Sequence, residues 1–280
     1  MCQLCAAKAS PWAQGRRAFL LAAGASAAVP ALAQVNVGEA SSLRKLVPAG
    51  DLERAAGQQY GQMLEQARAK RVLAPDNHPQ LLKLRAIARR MIPDALRWND
   101  RAKQWKWEVN LIGSSQINAF CMPGGKIAFY TGILDKLKLS DDEAAMIMGH
   151  EMAHALREHA RERIAKTQGT GALLSIGSAL LGLGQVGDLA ANVGTQLLSL
   201  KFSRDDETEA DLVGLEIAAR AAFKPEASVS LWEKMSRASE GGGPAFLSTH
   251  PTGPDRIKRL SDNVPKVAGL YQQALQKQPR

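Results

Sequence analysis

A mainly helical α+β domain with a small β-sheet is predicted by three features of the chain. Apolar residues recur at helical spacing over six stretches, two short runs are β-prone, and one capped apolar helix carries a pair of histidines. With 280 residues and 45% hydrophobic content the chain can bury a substantial core in one domain. No internal repeats occur.

Residues 1–33 read as a cleaved export signal. Lys8, Arg16 and Arg17 form a basic start without an acid, Phe19 to Val29 is Ala-rich and apolar, and Ala31-Leu32-Ala33 offers an A-x-A cleavage site before Gln34. The apolar stretch is too short for a bilayer, which needs about 20 residues. Arg16-Arg17-Ala18-Phe19-Leu20 favours the twin-arginine route over the general secretory one. Either route places the mature protein in a bacterial periplasm or outside the cell. Cleavage removes Cys2 and Cys5, so Cys121 alone remains, no internal disulfide forms, and Cys121 reads as a buried small apolar residue. It also removes Lys8, Arg16 and Arg17 and no acid, taking the formal net charge from +9 to +6. That charge suits peripheral contact with an anionic membrane as well as a soluble protein. Scattered basic residues and only 5% aromatics argue against nucleic-acid binding.

Residues 34–74 are expected to form a polar lead and a helix over Asp51 to Arg71. A domain over 75–265 follows, then a tail over 266–280. The break Ala74-Pro75-Asp76-Asn77-His78-Pro79 precedes a basic helix, Gln80 to Ile92, with Leu81, Leu84, Ile87, Ala88 and Met91 on one face. Trp107 to Ile112 alternates as a strand, and Lys126 to Thr131 reads as a second strand after the Gly124-Gly125 turn. Ser140 and Glu143 form a capping box, and Ala144 to Gly149 carries the helix onward to about Ala165. Gly169 to Leu200 is rich in Gly, Ala and Leu, but Gln185, Asp188 and Asn192 argue against a membrane span. It reads either as two short helices near a cleft or as a helical hairpin completing the core. Helices are expected over Asp206 to Ala222, over Pro225 to Arg237 and from about Asp255, with a Gly241-Gly242-Gly243-Pro244 loop before the last.

The chemistry is concentrated in His150-Glu151-Met152-Ala153-His154. Residues four apart share a helix face, so both imidazoles can reach one ion, with Glu151 beside a bound water. Two core histidines with separate partners are the alternative. Glu207 and Asp211 repeat the four-residue spacing. Glu207 is the candidate third ligand, and Asp211 the carboxylate that accepts the outer N–H of a ligating histidine. Taken alone, that run is equally an acidic first turn that complements the helix dipole. Glu209 points elsewhere, and Asp205 and Asp206 read as solvated. His159, five residues after His154, leaves the ligand face, and His78 sits in a polar loop.

Four blocks taken together resemble the HtpX-like and CAAX-prenyl-protease-like zinc metallopeptidases, metallopeptidase family forty-eight. They are His150 to His154; Ser203-Arg204 with Glu207 to Asp211; Asn118-Ala119-Phe120 with Pro123-Gly124-Gly125, Ile127, Tyr130 and Gly132; and Ser248-Thr249-His250-Pro251 with Arg256-Ile257. The resemblance spans about Leu81 to Leu260 and is nearest the short exported bacterial members. It implies a gluzincin-type zincin fold and one Zn2+ held by His150, His154 and Glu207, with Glu151 as the base. It also implies a cleft-lining strand at Gly124, Gly125, Lys126 and Ile127 whose edge pairs with substrate. His250 would lie near the metal, as an oxyanion donor or a resting fourth ligand. Arg256 either pairs with a carboxylate near the site or is solvated. The implied role is endopeptidase turnover of unfolded or misassembled envelope polypeptides. A chaperone-like binder with a latent, His250-blocked zinc site is the alternative, and a metal-dependent esterase or amidase a third.

Overall fold

A computed structural model of the chain describes residues 35–168, 197, 200–239, 244–251 and 255–277. After a 3-10 turn at Ser42–Leu46 come helices α1 (Ala49–Ala69) and α2 (Pro79–Ala95). Strands β1 (Glu108–Ile112), β2 (Ala119–Met122) and β3 (Lys126–Tyr130) follow. Helices α3 (Thr131–Lys136), α4 (Asp141–Leu156), α5 (His159–Gln168), α6 (Arg204–Arg220), α7 (Ala227–Ser239), α8 (Ala245–Thr249) and α9 (Arg256–Lys277) complete the described chain. The mainly helical α+β architecture with a small sheet is therefore as read. The expected leader and residues 169–200, apart from Leu197 and Leu200, lie outside the described residues. No described helix is long and apolar enough to cross a membrane.

The sheet has the order β1-β3-β2, with β1 parallel and β2 antiparallel to β3. β2 and β3 form a hairpin whose turn requires glycine. Gly124 and Gly125 have φ of 85° and 77°, and a Cβ on Gly125 would come within 2.8 Å of the Trp107 ring. This topology corrects the expected substrate strand. Lys126 and Ile127 lie in the central strand, bonded on both sides, and Gly124 and Gly125 are turn residues. β1 and β2 are the two edge strands: β1 is bordered by Val72 to Ala74, which bond to Leu111 and Gly113, whereas β2 has no second strand partner among the described residues. Tyr130 N–H donates to the Asn118 carbonyl, so the antiparallel alternation turns the backbone groups of Ala119 and Cys121 away from β3.

Helix α4 is buried from Glu143 to Leu156, which explains why its sequence is apolar on all faces rather than striped. The capping box expected at Ser140 is present: Glu143 N–H donates to Ser140 Oγ, and Ser140 N–H donates to Glu143 Oε2 at 2.8 Å. A second box starts α6, from Ser203 and Asp206, so Asp206 is buried rather than solvated. The two helices meet at glycine. A Cβ on Gly149 would stand 2.7 Å from the Gly214 carbonyl oxygen, and one on Gly214 would stand 2.6 Å from the His150 nitrogen. α2 supports α4 with Leu81, Leu84, Ile87, Ala88 and Met91, all buried as expected.

Three boundaries differ from the sequence reading. The motif helix does not run to Ala165: it stops at Leu156, Glu158 takes φ 60°, and α5 starts afresh at His159. α1 is not separate from the domain, since Ala56 and Tyr60 pack with Phe120, Met122 and Ala128 of the sheet. Residues 266–277 are not a tail, because α9 continues through them with Val267 and Leu270 buried.

The glycine contact gives a stability test. Gly149→Ala is expected to lower unfolding free energy by about 1–3 kcal/mol, the usual cost of overpacking, measured by urea denaturation. An unchanged midpoint would mean that α4 and α6 do not touch there.

Candidate metal centre

Helix α4 places His150 and His154 one turn apart on the same face, with Nε2 atoms 3.1 Å from each other. The first turn of α6 brings Glu207 between them: Oε2 is 3.5 Å from His150 Nε2, and Oε1 is 3.4 Å from His154 Nε2. His250, at the end of α8, points its Nδ1 into the same space, 2.9 Å from Glu207 Oε1 and 3.3 Å from His150 Nε2. One donor atom from each of these four buried residues lies within 4.8 Å of all the others. Glu151 lies beside them, with Oε1 3.5 Å from His250 Nε2.

The outer side of the cluster is tied down by charge. Asp211 Oδ1 meets His150 Nδ1 at 3.0 Å. Arg256 forks onto Asp211 through Nε and Nη2, both at 2.7 Å, and its guanidinium lies over the Trp232 ring. Arg256 Nη1 stands 2.9 Å from Glu207 Oε2 but is not aligned for a hydrogen bond. Of the two sequence readings of Arg256, pairing with a carboxylate is the one realised. Cys121 is buried and free, and burial pushes its thiol up, as its apolar reading requires.

The surroundings of His150 favour positive charge, and those of His154 oppose it. Burial alone would discharge His150, but Glu207 and Asp211 outweigh it and hold the imidazole raised to about 9. Glu207 shows the converse: burial opposes its charge, yet His150, His154 and His250 keep the carboxyl well below the ordinary range. Asp211 is also lowered, Arg256 and His150 overcoming burial. His154 is held well below its ordinary value by burial. Burial raises Glu151 despite opposing effects from His250, His150 and the Cys121 backbone.

The donors fit zinc. With His150 Nδ1 facing a carboxylate, its proton belongs there when the ring is neutral, and the Nε2 lone pair faces His154 and Glu207. Glu207 Oε2 and Glu151 Oε1 are buried without hydrogen-bond partners, so the protein alone does not satisfy the site. Donors bound to zinc at about 2.0–2.1 Å in a tetrahedron stand about 3.3 Å from one another. The closest contacts among these residues run from 2.9 to 3.5 Å, and with one donor atom taken from each the four lie within 4.8 Å of one another, within reach of one ion. His150, His154 and Glu207 could hold the ion, with His250 at the fourth corner.

The structure thus gathers every metal-site residue read from the sequence, with Asp211 behind His150. It does not gather Gly124, Gly125, Lys126 and Ile127. A cleft reaches the cluster between β2 and the end of α4, lined by Asn118 to Pro123, Glu151, Ala155, Phe202 and His250. Sequence reasoning missed β2 as the cleft edge. It also missed Phe202, stacked on His154 at 3.9 Å between ring centroids, and His159, whose Nδ1 lies 2.9 Å from His154 Nδ1. The Asn118 block signalled the strand; no pattern signalled Phe202.

Comparison with known proteins agrees with this geometry. The model described as Peptidase family M48 matches residues 80–264. The mitochondrial metalloendopeptidase OMA1 of Schizosaccharomyces pombe is 35% identical, covering 70% of this chain and 56% of the relative. The protein of that name from Saccharomyces cerevisiae is 31% identical, covering 72% of this chain and 61% of the relative. Metalloprotease LoiP of Escherichia coli is 27% identical, covering 72% of this chain and 78% of the relative. The chain therefore aligns with less than two thirds of the length of the two yeast relatives.

Removing Arg256 tests the charge balance. Arg256→Met leaves Asp211 and Glu207 buried without their cation and is expected to cost about 3–5 kcal/mol in denaturant unfolding. Arg256→Lys should recover only part, since an ammonium cannot fork onto Asp211. Wild-type stability in Arg256→Met would contradict this balance.

Proposed function

The chain belongs to peptidase family M48, and on that footing we propose that it is a zinc-dependent endopeptidase acting on unfolded or misassembled cell-envelope polypeptides. The observation that carries the proposal is the convergence of His150, His154, Glu207 and His250 with Glu151 alongside. Relatives named metalloendopeptidase and metalloprotease support it.

His150, His154 and Glu207 would hold the zinc. When bound, zinc supplies a Lewis acid that polarises the scissile carbonyl and acidifies water. Glu151 takes a proton from the attacking water and returns it to the leaving amine. Its burial-raised carboxyl suits a group that must both accept and release a proton. Asp211 accepts the outer N–H of His150 and fixes its ring. The outward edge of β2 offers the Ala119 backbone and the Cys121 carbonyl to an extended substrate, the Cys121 N–H being directed at Glu151, so main-chain bonds supply affinity without demanding one sequence.

His250 has two roles open to it. Its Nδ1 lies 2.9 Å from Glu207 Oε1 and 3.3 Å from His150 Nε2, so it could serve as a fourth ligand in a resting site closed to water, which lends support to the latent, binder-like reading. With its ring turned out of that position, it is placed to donate to the oxyanion. Export to the periplasm rests on the basic start, apolar stretch and A-x-A site of residues 1–33. Peripheral membrane contact rests on net positive charge alone.

Glu151→Gln separates the readings. The variant is expected to keep its zinc and to lose cleavage of an unfolded protein by a factor of about 100 or more, followed by gel assay beside metal analysis. Equal cleavage by both proteins would remove Glu151 from the chemistry. If neither cleaves and both equally suppress aggregation of an unfolded client, the binder reading holds instead.

A further inference from the structure

His154 is constrained at both ring nitrogens. Its Nε2 joins the cluster, 3.1 Å from His150 Nε2. Its Nδ1 meets His159 Nδ1 at 2.9 Å. Phe202 stacks on its face. His150 is constrained differently, since its outer nitrogen meets the carboxylate of Asp211, which can only accept a hydrogen bond. An imidazole in that position is ambiguous, because it can donate or accept. It fixes a neighbour's tautomer only if its own proton is placed.

The structure supplies the placement. His159 Nε2 lies 3.5 Å from Glu209 Oε2 without the alignment of a hydrogen bond, and the nearby negative charge favours the proton on Nε2 over Nδ1. Glu209 is itself gripped by Arg157 Nε. Arg157 Nη2 also donates to the Gly38 carbonyl at 2.8 Å, which ties the arrangement to the start of the described chain. With its proton on Nε2, His159 has a lone pair on Nδ1. Nδ1 of His154 then carries a proton, and its Nε2 lone pair points into the cluster. His159 is buried, and it is not among the residues whose donor atoms converge.

We propose that His159 is a positioning residue for His154. It accepts the Nδ1–H of His154 and so fixes the tautomer and ring plane that present Nε2 to the metal. The two imidazoles of the motif are therefore oriented by unlike partners, a carboxylate at His150 and a second imidazole at His154. This rests on the zinc reading of the site.

The test compares full-length wild type, His159→Leu and His159→Asn by zinc competition against a chromophoric chelator, alongside thermal unfolding of the metal-free proteins. Leucine fills the space without an acceptor, while asparagine sets an oxygen near the position of Nδ1. His159→Leu is expected to weaken zinc binding about 10–100-fold, the usual effect of losing a partner to a ligand. His159→Asn is expected to stay within about threefold of wild type on the same basis. Should His159→Leu not fold, His159→Phe keeps a ring against Phe202, lacks the acceptor and carries the same expectation. Unweakened binding in the leucine or phenylalanine variant overturns the proposal. So does equal weakening in the asparagine variant, which would reduce His159 to packing. Wild type that binds no zinc would overturn the zinc reading itself, a result distinct from either.

Discussion

The whole site depends on two helices touching backbone to backbone at Gly149 and Gly214. Helices separated by ordinary side chains keep their axes about 8–10 Å apart. Here each glycine leaves room for the main chain of the other, with no space for a Cβ on either. Gly149 immediately precedes His150, and Gly214 lies on the helix that carries Glu207 and Asp211. The contact therefore sets how far the imidazoles stand from the carboxylates. A wider spacing would leave Glu207 short of His150 and His154, whatever their positions in the sequence.

Close approach concentrates charge, and the structure balances it on both sides. Arg256 neutralises Asp211 from behind and stands beside Glu207. The donors of His150, His154, Glu207 and His250 face inward, where a divalent cation would complete the balance. Stability and chemistry draw on the same groups. The buried carboxylates that would burden a core without partners are those that shape the centre and lower the cost of positive charge within it.

Most of this site was legible because its information is local. His150 and His154, and Glu207 and Asp211, each pair through the pitch of one helix, and Ser140 with Glu143 marks where the motif helix begins. The failures share a physical reason. Gly149 and Gly214 register in sequence only as poor helix formers, and their meeting is a tertiary fact. Four residues of β2 are too few for alternation to show, so the sequence points to the strand after the glycines, whereas the strand before them is the one that lines the cleft. His159 is not among the converging donors, as its spacing predicts, but counting along one continuous helix hides its contact with His154. The positive φ at Glu158 breaks that helix, and α5 restarts with His159 turned back onto His154.

The central claim is that α4 and α6 converge on a single zinc through imidazole and carboxylate donors. X-ray absorption at the zinc edge, with metal content measured on the same sample, tests it most directly. The expected result is one zinc per chain with nitrogen and oxygen neighbours at about 2.0–2.1 Å and the scattering signature of imidazole. A chain that holds no stoichiometric zinc, or a sulfur neighbour at about 2.3 Å, would contradict it.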